Sequence, residues 1–152
     1  MQSKRFRMFM LRLTIAVATF FVAASLAQEH KAINLAPARG LPFNDGVIAG
    51  KTLYLAGQEG TGADDKLVSG GITPETKAAL DNLGKVLKAA GYEWKDVVSV
   101  TVYLADIHEF PDMNKVYKTI LPDPKPARAT IQVAALVNDA RVEISAIAVK
   151  SK

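Results

Sequence analysis

Past residue 46 the apolar positions switch between two spacings, and each switch marks a new element. Val47-Ile48 and the run 52–56 read as two short strands around Ala49-Gly50-Lys51, where glycine supplies the conformation a hairpin turn needs. Gly57, Gly60 and Gly62, followed by Asp64-Asp65, predict a loop. Thr73-Pro74-Glu75 predicts a helix start, because threonine can cap free amides, proline is tolerated in the first turn, and Glu75 suits the positive end of the helix dipole. Thr76, Leu80, Leu83, Leu87 and Ala90 then recur at helical spacing, and Gly91 predicts the stop.

Strict alternation follows. Val98, Val100, Val102 and Leu104 interleave with Ser99, Thr101 and Tyr103, the pattern of a half-buried strand. A second helix is expected over 109–121, with Phe110, Met113, Tyr117 and Ile120 on one stripe and Pro111 confined to its first turn. Runs 127–134 and 141–149 predict two final strands turning near Val137-Asn138-Asp139. The order β-β-α-β-α-β-β implies an α+β layer, one sheet with two helices on one face. Apolar residues occupy both parities of the last run (Ile144, Ala146, Ile147, Ala148, Val149), as in a strand buried on both faces. Self-association through the uncovered sheet face is the expectation.

Charge divides the chain of 152 residues unevenly. Lys4, Arg5, Arg7 and Arg12 precede any acid, and the remaining 15 basic residues are matched by all 15 acids. The neutral body therefore offers no electrostatic footprint for nucleic acid. The basic start runs into an apolar stretch from Leu13, ending at Ser25-Leu26-Ala27, where Ser25 and Ala27 suit the narrow subsites of a signal peptidase. From Leu13 to Ala27 is 15 residues, against roughly 20 for a membrane-spanning helix. The expected organisation is a signal peptide over 1–27 and one domain over 28–152, secreted or periplasmic, with no membrane association after cleavage. Cysteine is absent, which excludes disulfides, thiolate metal sites and a cysteine nucleophile.

Few residues carry chemistry. His30 and His108 lack a second ligand at metal spacing, so no metal site is expected, and His108 reads as a cap or surface residue. Gly70-Gly71 lacks the lysine-serine pair of a phosphate loop, and Ser69 and Ser99 have no histidine at a telling distance. Trp94 reads as core or rim packing. Arg128 and Glu143 stand out. Arginine in an apolar strand needs a carboxylate or phosphate for its planar fork, and a glutamate between Val142 and Ile144 can take a proton from water. A structural ion pair or edge charges that block aggregation would account for the same two residues. A simple hairpin sets Arg128 opposite Ala146 or Ile147, leaving Glu143 roughly 10–13 Å off register. A common site then needs a bent strand, a bridging ligand or a neighbouring subunit.

The run Pro126-Ala127-Arg128-Ala129-Thr130-Ile131-Gln132-Val133-Ala134-Ala135-Leu136, with Val142-Glu143-Ile144, resembles the C-terminal signature of the Rid (YjgF-like) family of reactive-intermediate imine deaminases. The likeness continues in Leu53-Tyr54-Leu55-Ala56-Gly57-Gln58, Val68-Ser69-Gly70-Gly71-Ile72, Leu87-Lys88-Ala89-Ala90-Gly91 and the run 97–106. It implies a chorismate-mutase-like fold and a homotrimer with a central sheet barrel and three intersubunit clefts. It further implies cofactor-free hydrolysis of enamines and 2-imino acids, such as 2-aminoacrylate, to 2-keto acids and ammonia. Under that resemblance Arg128 holds the substrate carboxylate, Glu143 orients or activates water, Asn114 lies on the second helix beside the site, and Gly57 borders the cleft. Phe43, Ala56, Thr130 and Ser145 stand where tyrosine, serine, cysteine and a second glutamate are common, with Phe43 and Thr130 still expected to line the substrate. A trimeric carboxylate-binding protein without turnover is the competing reading, and imine turnover separates the two.

Overall fold

The computed structural model describes residues 29–36 and 40–151; the expected leader lies outside them. A mixed sheet in the order β1-β2-β3-β6-β4-β5 carries two helices. Its strands are β1 (His30–Ile33), β2 (Gly46–Ala49), β3 (Thr52–Glu59), β4 (Val97–Leu104), β5 (Ala127–Gln132) and β6 (Val142–Val149). The helices are α1 (Ile72–Ala90) and α2 (Phe110–Ile120). The α+β layer is the one the spacing predicts, with β1 added at the edge, where only Ile33 of its four residues is buried.

Alternation along the strands sorts one face to the core. Leu53 and Leu55, Val100, Val102 and Leu104, and Val142, Ile144, Ala146 and Ala148 are buried against Leu80, Leu83, Val86 and Leu87 of α1 and Met113 and Tyr117 of α2. Each fully buried Leu or Val side chain contributes roughly 1.5–3 kcal/mol. Gly91 ends α1 in the left-handed region (φ 79°), its N–H bonded to the last-turn carbonyls, as its position predicts. The start of α1 differs from expectation. Gly71, not Thr73, is the capping residue, and no side chain caps the helix. Glu75 is turned inward instead: buried, it accepts the backbone N–H groups of Arg141 (2.6 Å) and Val142 (3.3 Å). It thereby fixes the point where β6 begins.

Two further expectations are corrected. The last two strands do not form a hairpin: β4 lies between them, antiparallel to β6 and parallel to β5. Asn138 and Asp139 both have positive φ, and this irregular turn carries the chain across β4 rather than folding it back. Arg128 does lie level with Ala146, as the hairpin placed it, but across Val100 of the intervening strand. The glycine-rich stretch is not loop from residue 57, because β3 runs on to Glu59 through a bulge between Leu55 and Gln58. Within the single chain β6 is buried on one face, and the face where self-association is expected is uncovered. Its other face stays half-open, beside Tyr54 and Ile131, which are 51% and 48% exposed.

Candidate functional site

Glu143 and Arg128 occupy opposite faces of the sheet. Glu143 is the register partner of Tyr103, and Arg128 of Val100, three positions apart on β4 and therefore of opposite parity. Two strand spacings and three residues along separate their backbones by roughly 14 Å. Within one chain the fold thus sets the two residues in separate places, each a candidate half-site.

The first half-site is a cleft of about 600 Å³ on the open face. Phe43, Ala56, Gly57, Glu59, Asn138 and Glu143 are among its lining residues, with Leu41 and Val137 at the rim. Gly57 leaves room for the glutamate: a Cβ there would lie 1.7 Å from Glu143 Oε1, so the carboxyl could not keep its place. The glutamate carboxyl rests on bare backbone that only glycine leaves free. Burial first, and the neighbouring Glu59 carboxylate second, push the Glu143 pKa above the usual carboxylate range. Phe43 is 56% exposed at the cleft edge. Hydrogen bonds of the nearby segment fix this wall: Asp45 N–H donates to Asn34 (3.1 Å), and Leu35 N–H to Asp45 (2.8 Å).

The second half-site gathers around Arg128 on the helix face. Its Nη1 donates to Asn114 Oδ1 at 2.9 Å. The guanidinium lies over the Tyr117 ring at 4.4 Å and the Phe110 ring at 5.5 Å. These contacts hold the cation in place, and among the described residues no carboxylate pairs with it. The Thr130 hydroxyl, two residues along the same face, is buried without a partner among the described residues, and the buried Tyr117 hydroxyl interacts with the Arg128 guanidinium. An unsatisfied buried hydroxyl beside a preorganised guanidinium forms a place for an anion to complete. Burial raises the Tyr117 pKa, with Arg128 pulling the other way, so the ring presents a neutral hydroxyl.

Every residue of the expected site therefore falls in one half or the other: Gly57, Phe43 and Glu143 in the cleft, Arg128, Asn114 and Thr130 across the sheet. The internal ion pair considered for Arg128 and Glu143 does not exist. His108 is a surface residue, its ring and N–H both bonded to Asp106. His30 is exposed on β1, and Trp94 packs half-buried against the core. Sequence reasoning missed Glu59, Asn138, Phe110 and Tyr117 as site residues. Phe110 and Tyr117 were legible only as a core stripe, since nothing in their spacing reports a cation above the rings.

A family profile described as Endoribonuclease L-PSP matches residues 33–150. The chain belongs to this family, the Rid (YjgF-like) proteins. It is 48% identical over 128 residues to the 2-iminobutanoate/2-iminopropanoate deaminase of Capra hircus, covering 84% of this chain and 93% of the relative. The bovine (Bos taurus) protein of the same name is 45% identical with the same coverage. Among solved structures, RidA from an Antarctic Psychrobacter superposes with a TM-score of 0.74 at 33% identity, over 79% of this chain and 99% of that one. Escherichia coli TdcF, solved with bound serine, gives a TM-score of 0.74 at 30% identity, covering 80% and 99%.

Proposed function

We propose that this Rid-family protein hydrolyses 2-imino acids and their enamine tautomers to 2-keto acids and ammonia, and that the two half-sites meet when copies associate as a trimer. The observation that carries the chemistry is the Glu143 carboxyl seated on Gly57 in an open cleft, with its pKa raised toward the working range of a general base. A protonated imine carbon is already electrophilic, so placing water and anchoring the substrate supply most of what catalysis needs. Arg128 takes the carboxylate through its planar fork, with Thr130 adding a hydroxyl and Asn114 fixing the guanidinium. Glu143 takes a proton from water as the oxygen adds to the imine carbon. The resulting carbinolamine expels ammonia once its nitrogen is protonated, leaving the carbonyl.

A trimer is supported by the separation of the half-sites and by the exposed apolar residues of the open face, Tyr54, Ile131 and Val149. The small-carboxylate ligand is supported by the serine bound to Escherichia coli TdcF. RNA cleavage, which the family description names, finds no support in the cleft: Asp45, Glu59, Asp65 and Glu143 line it, and among the described residues no lysine, arginine or histidine does. Four acids repel a phosphate backbone. Export is the proposed location, resting on the basic, apolar and small-residue order of 1–27; mass spectrometry of protein from the native host should find a terminus near Gln28. The decisive test of activity is ammonia release from imines generated in situ by an amino-acid oxidase. Silence of the wild-type trimer in that assay, with carboxylate binding intact, leaves a binding protein and ends the deaminase reading.

A further inference from the structure

The cleft holds a second carboxylate that the expected site lacks. Glu59 is the direct register partner of Glu143 across β3 and β6, which places their Cβ atoms roughly 5 Å apart on one face. The bulge at Ala56-Gly57 is what puts it there. Counting alternation from the buried Leu53 and Leu55 sends Glu59 to the core face, and the extra residue reverses that parity.

The surroundings fix Glu59 on one side only. Its Oε2 accepts a hydrogen bond from Asn138 Nδ2 at 2.9 Å. Its backbone carbonyl accepts from Asn82 of α1 at 3.2 Å, and Asn82 also binds the carbonyl of Thr61 at 3.0 Å. The other carboxyl oxygen, Oε1, is buried and has no donor among the described residues. A buried carboxylate oxygen without a donor, opposite a second carboxyl, lacks one thing a proton supplies.

We infer that Glu59 is a positioning residue for Glu143: its bare Oε1 accepts a hydrogen bond from the Glu143 carboxyl when that carries a proton, orienting the Glu143 carboxyl and setting when it can accept a proton from water. The inference deepens the deaminase reading and rests on it for its consequence in catalysis. The groups facing Glu143 are Glu59 from β3, Tyr103 from β4, and Asp45 and Asp65 from the two loops that wall the cleft. None is a cation, so among the described residues nothing offsets the Glu59 charge there. An Arg128 supplied by a neighbouring copy pulls in the opposite direction, and comparing variants within the same assembly holds it constant.

The test is carboxyl ¹³C NMR of the assembled protein labelled at glutamate side chains, with Glu143 assigned by loss of its signal in Glu143→Gln. In the wild type Glu143 should titrate above the ordinary glutamate range. Glu59→Gln should move that titration to lower pH, and Glu59→Asp, which keeps the charge, should restore much of it. Glu59→Leu removes the charge without leaving an amide to satisfy and must move the titration the same way. In turnover assays the acid limb of kcat/KM should follow the same shifts. An unmoved Glu143 titration in folded Glu59→Gln or Glu59→Leu overturns the pairing. A wild type silent toward imines sinks the deaminase reading instead, and the NMR result still judges the pair.

Discussion

The chain stabilises its cation and destabilises its anion. Around Arg128, two aromatic rings and Asn114 hold the guanidinium, and an always-charged group loses nothing by being held. Around Glu143, burial and a facing carboxylate both work against the charge. The difference matches the two tasks proposed for them. An anchor for a carboxylate works best when its charge is permanent and its geometry is fixed before the ligand arrives. A group that must take a proton from water works best when its ionised form is poorly solvated, because a comfortable carboxylate is a weak base.

The sharpest way to break this contrast is Glu143→Gln. The amide keeps the shape but cannot take a proton, so turnover should fall by roughly 10²–10⁴-fold while binding of a small keto acid persists. Stopped-flow ammonia release and calorimetric binding on the same sample give both numbers. Equal loss of binding and turnover would place Glu143 among the anchors instead.

Arg128→Ala comes next. Loss of a charge-assisted, bidentate contact should weaken carboxylate binding by about ten- to a hundredfold, at roughly 1.5–3 kcal/mol. Arg128→Lys should recover little, since an ammonium offers neither the planar fork nor the flat stack on Tyr117 and Phe110. Light scattering should show the assembly intact in both. Unchanged imine turnover in folded Arg128→Ala would remove the anchor from the site altogether.

Gly57→Ala probes the same cleft through the backbone. The new methyl collides with the Glu143 carboxyl, which must swing away, so turnover should drop at least tenfold with secondary structure unchanged. If activity survives, the carboxyl position seen over Gly57 is not the working one.

These positions differ in how visibly they are written in the sequence. The helices and most strands follow from period, because a single apolar stripe or alternation decides each one, and the Gly91 stop follows from its conformation. Arg128 and Glu143 stand out because each is a charge inside an apolar strand. Long-range pairing is less legible. Nothing local in 127–149 reports that β4 inserts between β5 and β6, since that depends on which buried faces match across the sheet. The bulge at Ala56-Gly57 is likewise invisible to a count of alternation, and with it Glu59. Glu75 was legible as an acid at a helix start, but its burial beneath the amides of Arg141 and Val142 belongs to tertiary packing.

The smallest expected effect concerns stability, and its sign separates the two half-sites once more. A carboxyl whose folded-state pKa is raised binds its proton more tightly in the native state than in the unfolded chain. Its contribution is fully present below the unfolded value near 4.5 and is lost as pH rises through the folded pKa. At neutral pH the ionised Glu143 is therefore a cost to the fold. Glu143→Gln should melt slightly higher than the wild type at pH 7, and the gain should vanish as the pH is lowered below about 4.5, where both proteins carry a neutral side chain. Arg128→Ala should show no such pH-dependent gain, because arginine stays charged throughout that range and its removal only forfeits the packing on Phe110 and Tyr117. Thermal melts of both variants across pH 4–8 make the comparison. A Glu143→Gln protein that melts below the wild type at pH 7 would mean that the carboxylate is stabilised where it sits, and the contrast between the two half-sites would fail.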